Sequence, residues 1–174
     1  MASNAHEGTR LLGSLGSAEG KGVVRMEDRL DATVEEVWAA LTDPSRLATW
    51  YGIVEGEMGP GGEYRAHLHA SGWEGTGRIE AFDAPRHMRV VTSMDSEEPS
   101  EGVFEVTLTP AGNGTDLIWE ERGAPEHLLA AYGAGIQVHV EDLGAYLEGR
   151  ERCDAEARFG ELYPAYQQLA ADDG

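Results

Sequence analysis

Apolar and polar positions alternate along Val23–Leu30, and the period then changes to three and four residues at Val34, Val37, Trp38 and Leu41. A strand running into an amphipathic helix is therefore expected. Thr33 stands where a side-chain oxygen accepts the backbone N–H of Glu36, while the Glu36 carboxylate can reach back to Thr33, an arrangement that satisfies two donors at a helix start. Glu35 and Glu36 place negative charge in the first turn, where the helix dipole favours it. Pro44 ends this helix and can open a second short one through Trp50, because a proline at the first helical position has no N–H to lose.

Upstream, Arg10–Leu15 is a short alternating run separated from Val23–Leu30 by the turn-rich stretch 17–22, which predicts a hairpin. Downstream, Gly62–Ala70, Gly75–Phe82, His87–Met94, Gly102–Thr109 and Thr115–Glu121 are strand candidates divided by glycine-, proline- and asparagine-containing breaks, and they read as an antiparallel meander. A long helix is expected from Pro125 to Gly149, with Leu129, Tyr132, Ile136, His139, Val140, Leu143, Tyr146 and Leu147 on one stripe. Gly133, Gly135 and Gly144 each cost that helix about 1 kcal/mol relative to alanine, so they imply tight packing, a bend or room for a ligand. A last helix over Asp154–Ala170 presents Phe159, Leu162, Tyr163, Tyr166 and Leu169, and Pro164 predicts a kink or two shorter pieces.

At 174 residues the chain is expected to form one domain over 11–149, with a flexible stretch at 1–10 and a helical extension at 150–174 packed on the same domain. A formal charge of −19 repels phosphate backbones and anionic lipid, so neither nucleic acid nor a membrane surface is an expected partner. The acidity reads first as a solvated, solubilising surface, ahead of a specific basic partner, and halophily would produce the same balance. The single cysteine, Cys153, excludes an internal disulfide, and Met1–Arg10 lacks the apolar core of a secretory signal, so a cytoplasmic location is expected. No apolar run has the length of roughly 18–20 residues that a bilayer span requires.

The phrases Val34-Glu35-Glu36-Val37-Trp38-Ala39-Ala40-Leu41-Thr42-Asp43-Pro44, Gly61-Gly62-Glu63-Tyr64, Thr115-Asp116-Leu117 and Ala145-Tyr146-Leu147-Glu148-Gly149 resemble the SRPBCC (START-like) superfamily. The branch they are most similar to is the C-terminal domain of the activator of the ninety-kilodalton heat-shock chaperone's ATPase. This resemblance implies an α+β helix-grip fold, with an antiparallel sheet of about six to seven strands wrapped around the long helix and two short helices after the second strand. It also implies an apolar cavity between sheet and helix. Fold by itself does not license a function. Where the family often carries an aromatic residue early in the last core helix this chain has Ile136, and where the strand after the Thr-x-Leu entry often ends in histidine it has Glu121, so pocket volume and polarity are altered.

The residues support a cavity independently of the resemblance. Tyr64, Ala66 and Leu68 share one face of their strand, and Leu117, Trp119 and Glu121 share one face of theirs, so a carboxyl follows an apolar stripe. Such a group must be paired, hydrated or neutralised, unless the strand emerges into solvent there. His139 lies on the apolar stripe of the long helix, either as a core histidine bonded to a carbonyl or within reach of Glu121 as the second half of an acid–base pair. These two are the weak catalytic candidates. Trp50, Tyr51, Tyr64, Trp73, Trp119, Glu121, Tyr132, Ile136 and His139 are the candidate ligand-binding residues, with Trp50, Tyr51 and Trp73 beside glycine-rich loops as a mobile rim and Trp38 assigned to packing. His67 and His69 point the same way from one strand but lack third and fourth donors, so no metal is expected, and no cofactor loop or nucleophile motif is present.

Three readings follow. The first is a carrier, sensor or sequestering protein for a small hydrophobic molecule, aromatic compounds included. The second is a polyketide aromatase/cyclase-like enzyme working in the same cavity. The third is a chaperone-associated adaptor, which needs an exposed contact patch. The oligomeric state is left open.

Overall fold

The computed structural model describes residues 10–95 and 101–173. The chain runs β1 (Gly13–Ala18), β2 (Lys21–Leu30), α1 (Val34–Thr42), α2 (Pro44–Trp50), β3 (Gly52–Gly56), β4 (Glu63–Leu68), β5 (Glu74–Asp83), β6 (His87–Met94), β7 (Glu101–Ala111) and β8 (Gly114–Ala124). A single 3-10 turn at Glu126–Leu128 then leads into α3 (Leu129–Leu147), and α4 (Ala155–Asp173) follows. Among the described residues the strands form one eight-stranded antiparallel sheet in the order β1-β2-β8-β7-β6-β5-β4-β3. This is the α+β helix-grip arrangement, with α3 lying along the concave face of the sheet.

Several elements form for the reasons legible in the residues. The Thr33 hydroxyl accepts from Glu36 N at 3.2 Å and starts α1. Asp43 then caps α2, accepting from Ser45 N at 2.9 Å, with Pro44 at the first turn. On the sheet, Val24, Met26, Leu117, Trp119, Val106, Leu108, Met88 and Val90 turn inward and are buried, whereas Arg25, Glu120, Glu105 and Arg122 lie on the outer face in a run of ion pairs. Alternation of period two therefore separates a dry concave face from a charged convex one.

The structure corrects four boundaries. The sheet has one strand more than the expected six to seven, because β3 is only five residues long, has glycine at both ends and offers a single buried apolar side chain, Val54. β1 begins three residues after Arg10, at Gly13. The segment from Pro125 is a 3-10 turn before α3 starts at Leu129. Pro164 does not divide the last helix: α4 continues through it with the proline and Gly160, whose carbonyl loses its partner, both on the exposed side where water can replace the missing bond. The expected N-terminal stretch falls outside the described residues except for Arg10.

α3 is buried well beyond its predicted stripe, at Ala134, Gln137, Val138 and Asp142, because it is covered by the sheet on one side and by α4 on the other. Tyr166 of α4 is fully buried and donates to Gln137 Oε1 at 2.6 Å while accepting from Gly13 N at 3.1 Å. Gln137 in turn accepts from Leu12 N and donates to the carbonyl of Arg10, so one side chain ties α3, α4 and the edge of β1 together. Glu141 receives Arg158 through both carboxylate oxygens at 2.8 and 2.9 Å. No helix among the described residues is long and apolar enough to cross a membrane.

Two α3 glycines have opposite surroundings. A Cβ on Gly133 would sit 2.8 Å from the Tyr166 ring, which its hydrogen bonds hold in place, whereas a Cβ on Gly135 would meet nothing within 4 Å. Gly133→Ala is expected to destabilise the fold by about 1–2 kcal/mol, overpacking outweighing the gain in helix propensity, and Gly135→Ala to stabilise it by up to about 1 kcal/mol. Urea unfolding of both variants checks the opposite signs.

Candidate functional site: a cavity under the long helix

The concave face of the sheet does not close completely on α3. Between them lies a cavity of about 820 Å³, walled by β2–β8, by α1, α2 and α3, and by the first turn and a half of α4 through Ala155, Glu156 and Phe159. All of the candidate residues Trp50, Tyr51, Tyr64, Trp73, Trp119, Glu121, Tyr132, Ile136 and His139 line it. Phe104 and Phe159, absent from the candidate residues, also line it, as does Gly135, one of the α3 glycines expected to leave room for a ligand. Phe104 was detectable, since it alternates with the inward-facing Val106 and Leu108; Phe159 was not, because nothing local tells which face of an added helix reaches a cavity.

Strand register builds the wall. Val24, Glu121 and Phe104 lie opposite one another across β2, β8 and β7, and Met26, Trp119 and Val106 form the next row. Trp119 meets Phe104, Tyr51 and Trp50 edge to face at centroid distances of 4.9, 6.1 and 6.4 Å, and Tyr51 meets the His139 ring at 5.0 Å. At the other end, Gly77 lets the Tyr64 ring lie flat on β5, where any Cβ would come within 2.3 Å of that ring. Trp73 packs over Gly75 in the same way.

Trp50 is not part of a mobile rim. It is 1% exposed and its indole N–H donates to the Ala40 carbonyl at 2.9 Å. In an unbroken helix that carbonyl would accept from residue 44, but Pro44 has no N–H, so the tryptophan satisfies an acceptor the proline leaves open. Tyr51 and Trp73 are partly exposed.

The polar groups in the interior of the cavity are Glu121, His139 and the phenols of Tyr51, Tyr64 and Tyr132. Glu121 accepts from Trp119 Nε1 at 2.9 Å. Glu121 lines the cavity and is half-buried, and desolvation raises its carboxyl above the usual range, the Trp119 N–H opposing the shift. The phenols of Tyr51, Tyr64 and Tyr132 are all pushed up by burial and by the nearby Glu121 charge. His139 is 6% exposed, its Nε2 has no hydrogen-bond partner, and burial pushes its pKa down to about 4. The expected Glu121–His139 pair is not formed: among the described residues no hydrogen bond or ion pair joins them, and they stand on opposite walls with Tyr51 against the imidazole. At neutral pH the imidazole is uncharged, one buried nitrogen left open.

The histidine shift has a measurable consequence. A group held neutral in the fold but protonated in the unfolded chain destabilises the fold as pH falls from its ordinary 6.5 towards about 4, and below that both states carry the proton. The stability of wild type relative to His139→Gln should therefore fall by about 3 kcal/mol across that window as pH is lowered. The raised Glu121 carboxyl acts in the opposite sense above pH 4.5, but it is common to both proteins and cancels in the difference. Parallel pH profiles from denaturant unfolding would refute the assignment.

Other candidate chemistry lies apart from the cavity. His67 is exposed on β4 beside Glu74 at 3.6 Å, whereas His69 lies in the turn after β4 with Nε2 at 2.8 Å from the Ala48 carbonyl, so the two are not held on one strand face as expected, and no three-donor cluster is found among the described residues. The Cys153 thiol is pushed up to about 11 by burial and by Asp142, which makes it a poor nucleophile near neutrality.

No curated protein matches the sequence. Among solved structures, CalU16 from Micromonospora echinospora is 24% identical, with 91% of this chain and 96% of that one covered at a TM-score of 0.72. DynU16, a protein of the dynemicin biosynthetic locus, is 29% identical over 76% of this chain and 50% of its own, with a TM-score of 0.68. A conserved protein of unknown function from Enterococcus faecalis, EF2215, is 15% identical but covers 98% of this chain and 96% of its own at 0.73. Residues 31–148 match the family described as activator of Hsp90 ATPase homolog 1-like protein, and the chain belongs to that family and carries its SRPBCC helix-grip fold.

Proposed function

We propose that this protein binds a small, largely apolar molecule in the cavity beneath α3 and acts as a carrier, sensor or sequestering protein rather than as an enzyme. The observation that carries this reading is the cavity itself: a volume of about 820 Å³ is in the range of small-molecule sites, and its aromatic walls are interrupted by a buried imidazole nitrogen with no protein partner. The resemblance to DynU16, whose locus is biosynthetic, adds support for a small-molecule role.

The enzyme reading would use Glu121 and His139 to move protons on a bound carbonyl compound, and the absence of a bond between them among the described residues weakens it. The adaptor reading has less support, because among the described residues Ile53 and Leu128 are the exposed large apolar side chains, and two such residues do not make an extended apolar patch. Native mass spectrometry of freshly purified protein should reveal a co-purifying small molecule. That molecule is then incubated with wild type, Glu121→Gln and His139→Ala. Unchanged ligand in all three supports binding alone, whereas product formed only by wild type, with binding intact in both variants, would make the protein an enzyme.

A further inference from the structure

Among the described residues Glu121 has no cationic partner. Its one hydrogen bond among the described residues comes from the neutral Trp119 indole, and the groups around it are phenols and rings: Tyr51, Tyr64, Tyr132 and, directly opposite on β7, Phe104. Among the described residues Arg122 is the one lysine or arginine in the cavity wall, and its guanidinium is turned to the outer face of the sheet, where Glu105 and Glu120 hold it. Among the same residues His139 is the one imidazole in the wall, and it is neutral with an open nitrogen. Around the exposed edge of the cavity stand Glu74, Asp95, Glu101 and Glu156, with His67 and Arg65 beside the first two. Among the described residues the site thus combines carboxylates, neutral hydroxyls and ring faces, with no unpaired positive charge in its wall to meet an anion.

On the reading that this cavity is the binding site, we infer that the molecule it takes presents a cationic nitrogen, a protonated amine on an aromatic or polycyclic body, to Glu121. The carboxylate would supply the counter-charge that no side chain supplies, and the surrounding rings would stabilise the ammonium through their negative faces. The open His139 nitrogen, in the tautomer protonated at Nδ1, accepts a further N–H. Binding of the cation lowers the cost of ionising Glu121, so ligand and carboxylate charge one another in place of solvent. A carboxylate ligand meets the reverse: an acidic edge, no partner cation and Glu121 inside. The overall charge of −19 draws the same class of molecule towards the protein.

The test uses three fluorescent probes that share one ring system: 1-pyrenemethylamine, 1-pyrenemethanol and 1-pyrenecarboxylic acid, titrated into the full chain near neutral pH at about 0.15 M salt, where long-range surface attraction is screened. The amine should bind about tenfold tighter than the alcohol, with the acid weakest. Glu121→Gln, which keeps the shape and the acceptor for Trp119, should bring the amine down to the affinity of the alcohol and move the alcohol less than about threefold. The surface variant Glu35→Gln should leave all three unchanged. An alcohol that binds as tightly as the amine, or an amine preference that survives Glu121→Gln, overturns this inference while leaving the cavity reading in place. If none of the three binds, the cavity reading falls and this inference with it. The wild-type ranking stands as a test even if the variant fails to fold.

Discussion

Trp50→Ala is expected to destabilise the protein by about 3–5 kcal/mol, enough to remove much of the stability of a domain of this size. The side chain is 1% exposed, it packs against Tyr51 and Trp119, and its indole N–H donates to the Ala40 carbonyl that Pro44 leaves open. Truncation therefore combines a cavity in the core with an unpaired buried acceptor. Trp50→Phe restores most of the packing but not the hydrogen bond, and should cost less, about 1–3 kcal/mol. Denaturant unfolding of the two variants separates the contributions. A loss under 1 kcal/mol for Trp50→Ala would mean that the helix junction does not depend on this contact.

Trp119→Ala and Trp38→Ala should damage the fold to a similar degree, about 3–5 kcal/mol each, but only the first should change binding. Trp119 stands in the cavity wall, makes edge-to-face contacts with Phe104 and Tyr51, and gives Glu121 its hydrogen bond. Trp38 is equally part of the core, but it packs against Phe82 at 5.1 Å and forms no part of that wall. Affinity for a neutral apolar dye, measured where both variants remain folded, distinguishes the two positions. Equal changes in affinity would contradict the assignment of Trp119 to the site.

The elements that could be read from the sequence are those whose cause is local. The Thr33 cap, the Pro44 start of α2, the alternation of β4–β8 and the apolar stripe of α3 all depend on neighbours a few residues away, and each is present in the fold. Where the cause is distant, the reading failed. Trp50 reads as rim because it lies beside a glycine-rich loop, and only the spatial proximity of the Ala40 carbonyl makes it core. Pro164 looked like a break, yet its defect faces solvent. Glu121 and His139 were placed correctly on inward-facing stripes, but a stripe specifies a direction and not a distance, so whether they meet across the cavity could not follow from periodicity. β3 lacks enough buried side chains to announce itself. The contribution of α4 to the cavity depends on the Tyr166–Gln137 contact, which spans 29 positions of sequence.

The central claim is that the space beneath α3 holds a small molecule, and titration of a neutral solvatochromic dye such as Nile red into wild type and the double variant Ala131→Phe/Gly135→Phe tests it most directly. Ala131 and Gly135 lie one turn apart and both line the cavity, and a side chain added at Gly135 starts in open space, so two rings there occupy ligand volume at little cost to packing. Wild type should bind one dye per chain with blue-shifted emission, and the double variant, with its unfolding midpoint unchanged, should bind at least about tenfold more weakly. Equal affinity in a folded double variant, or no saturable binding to wild type, would contradict the account.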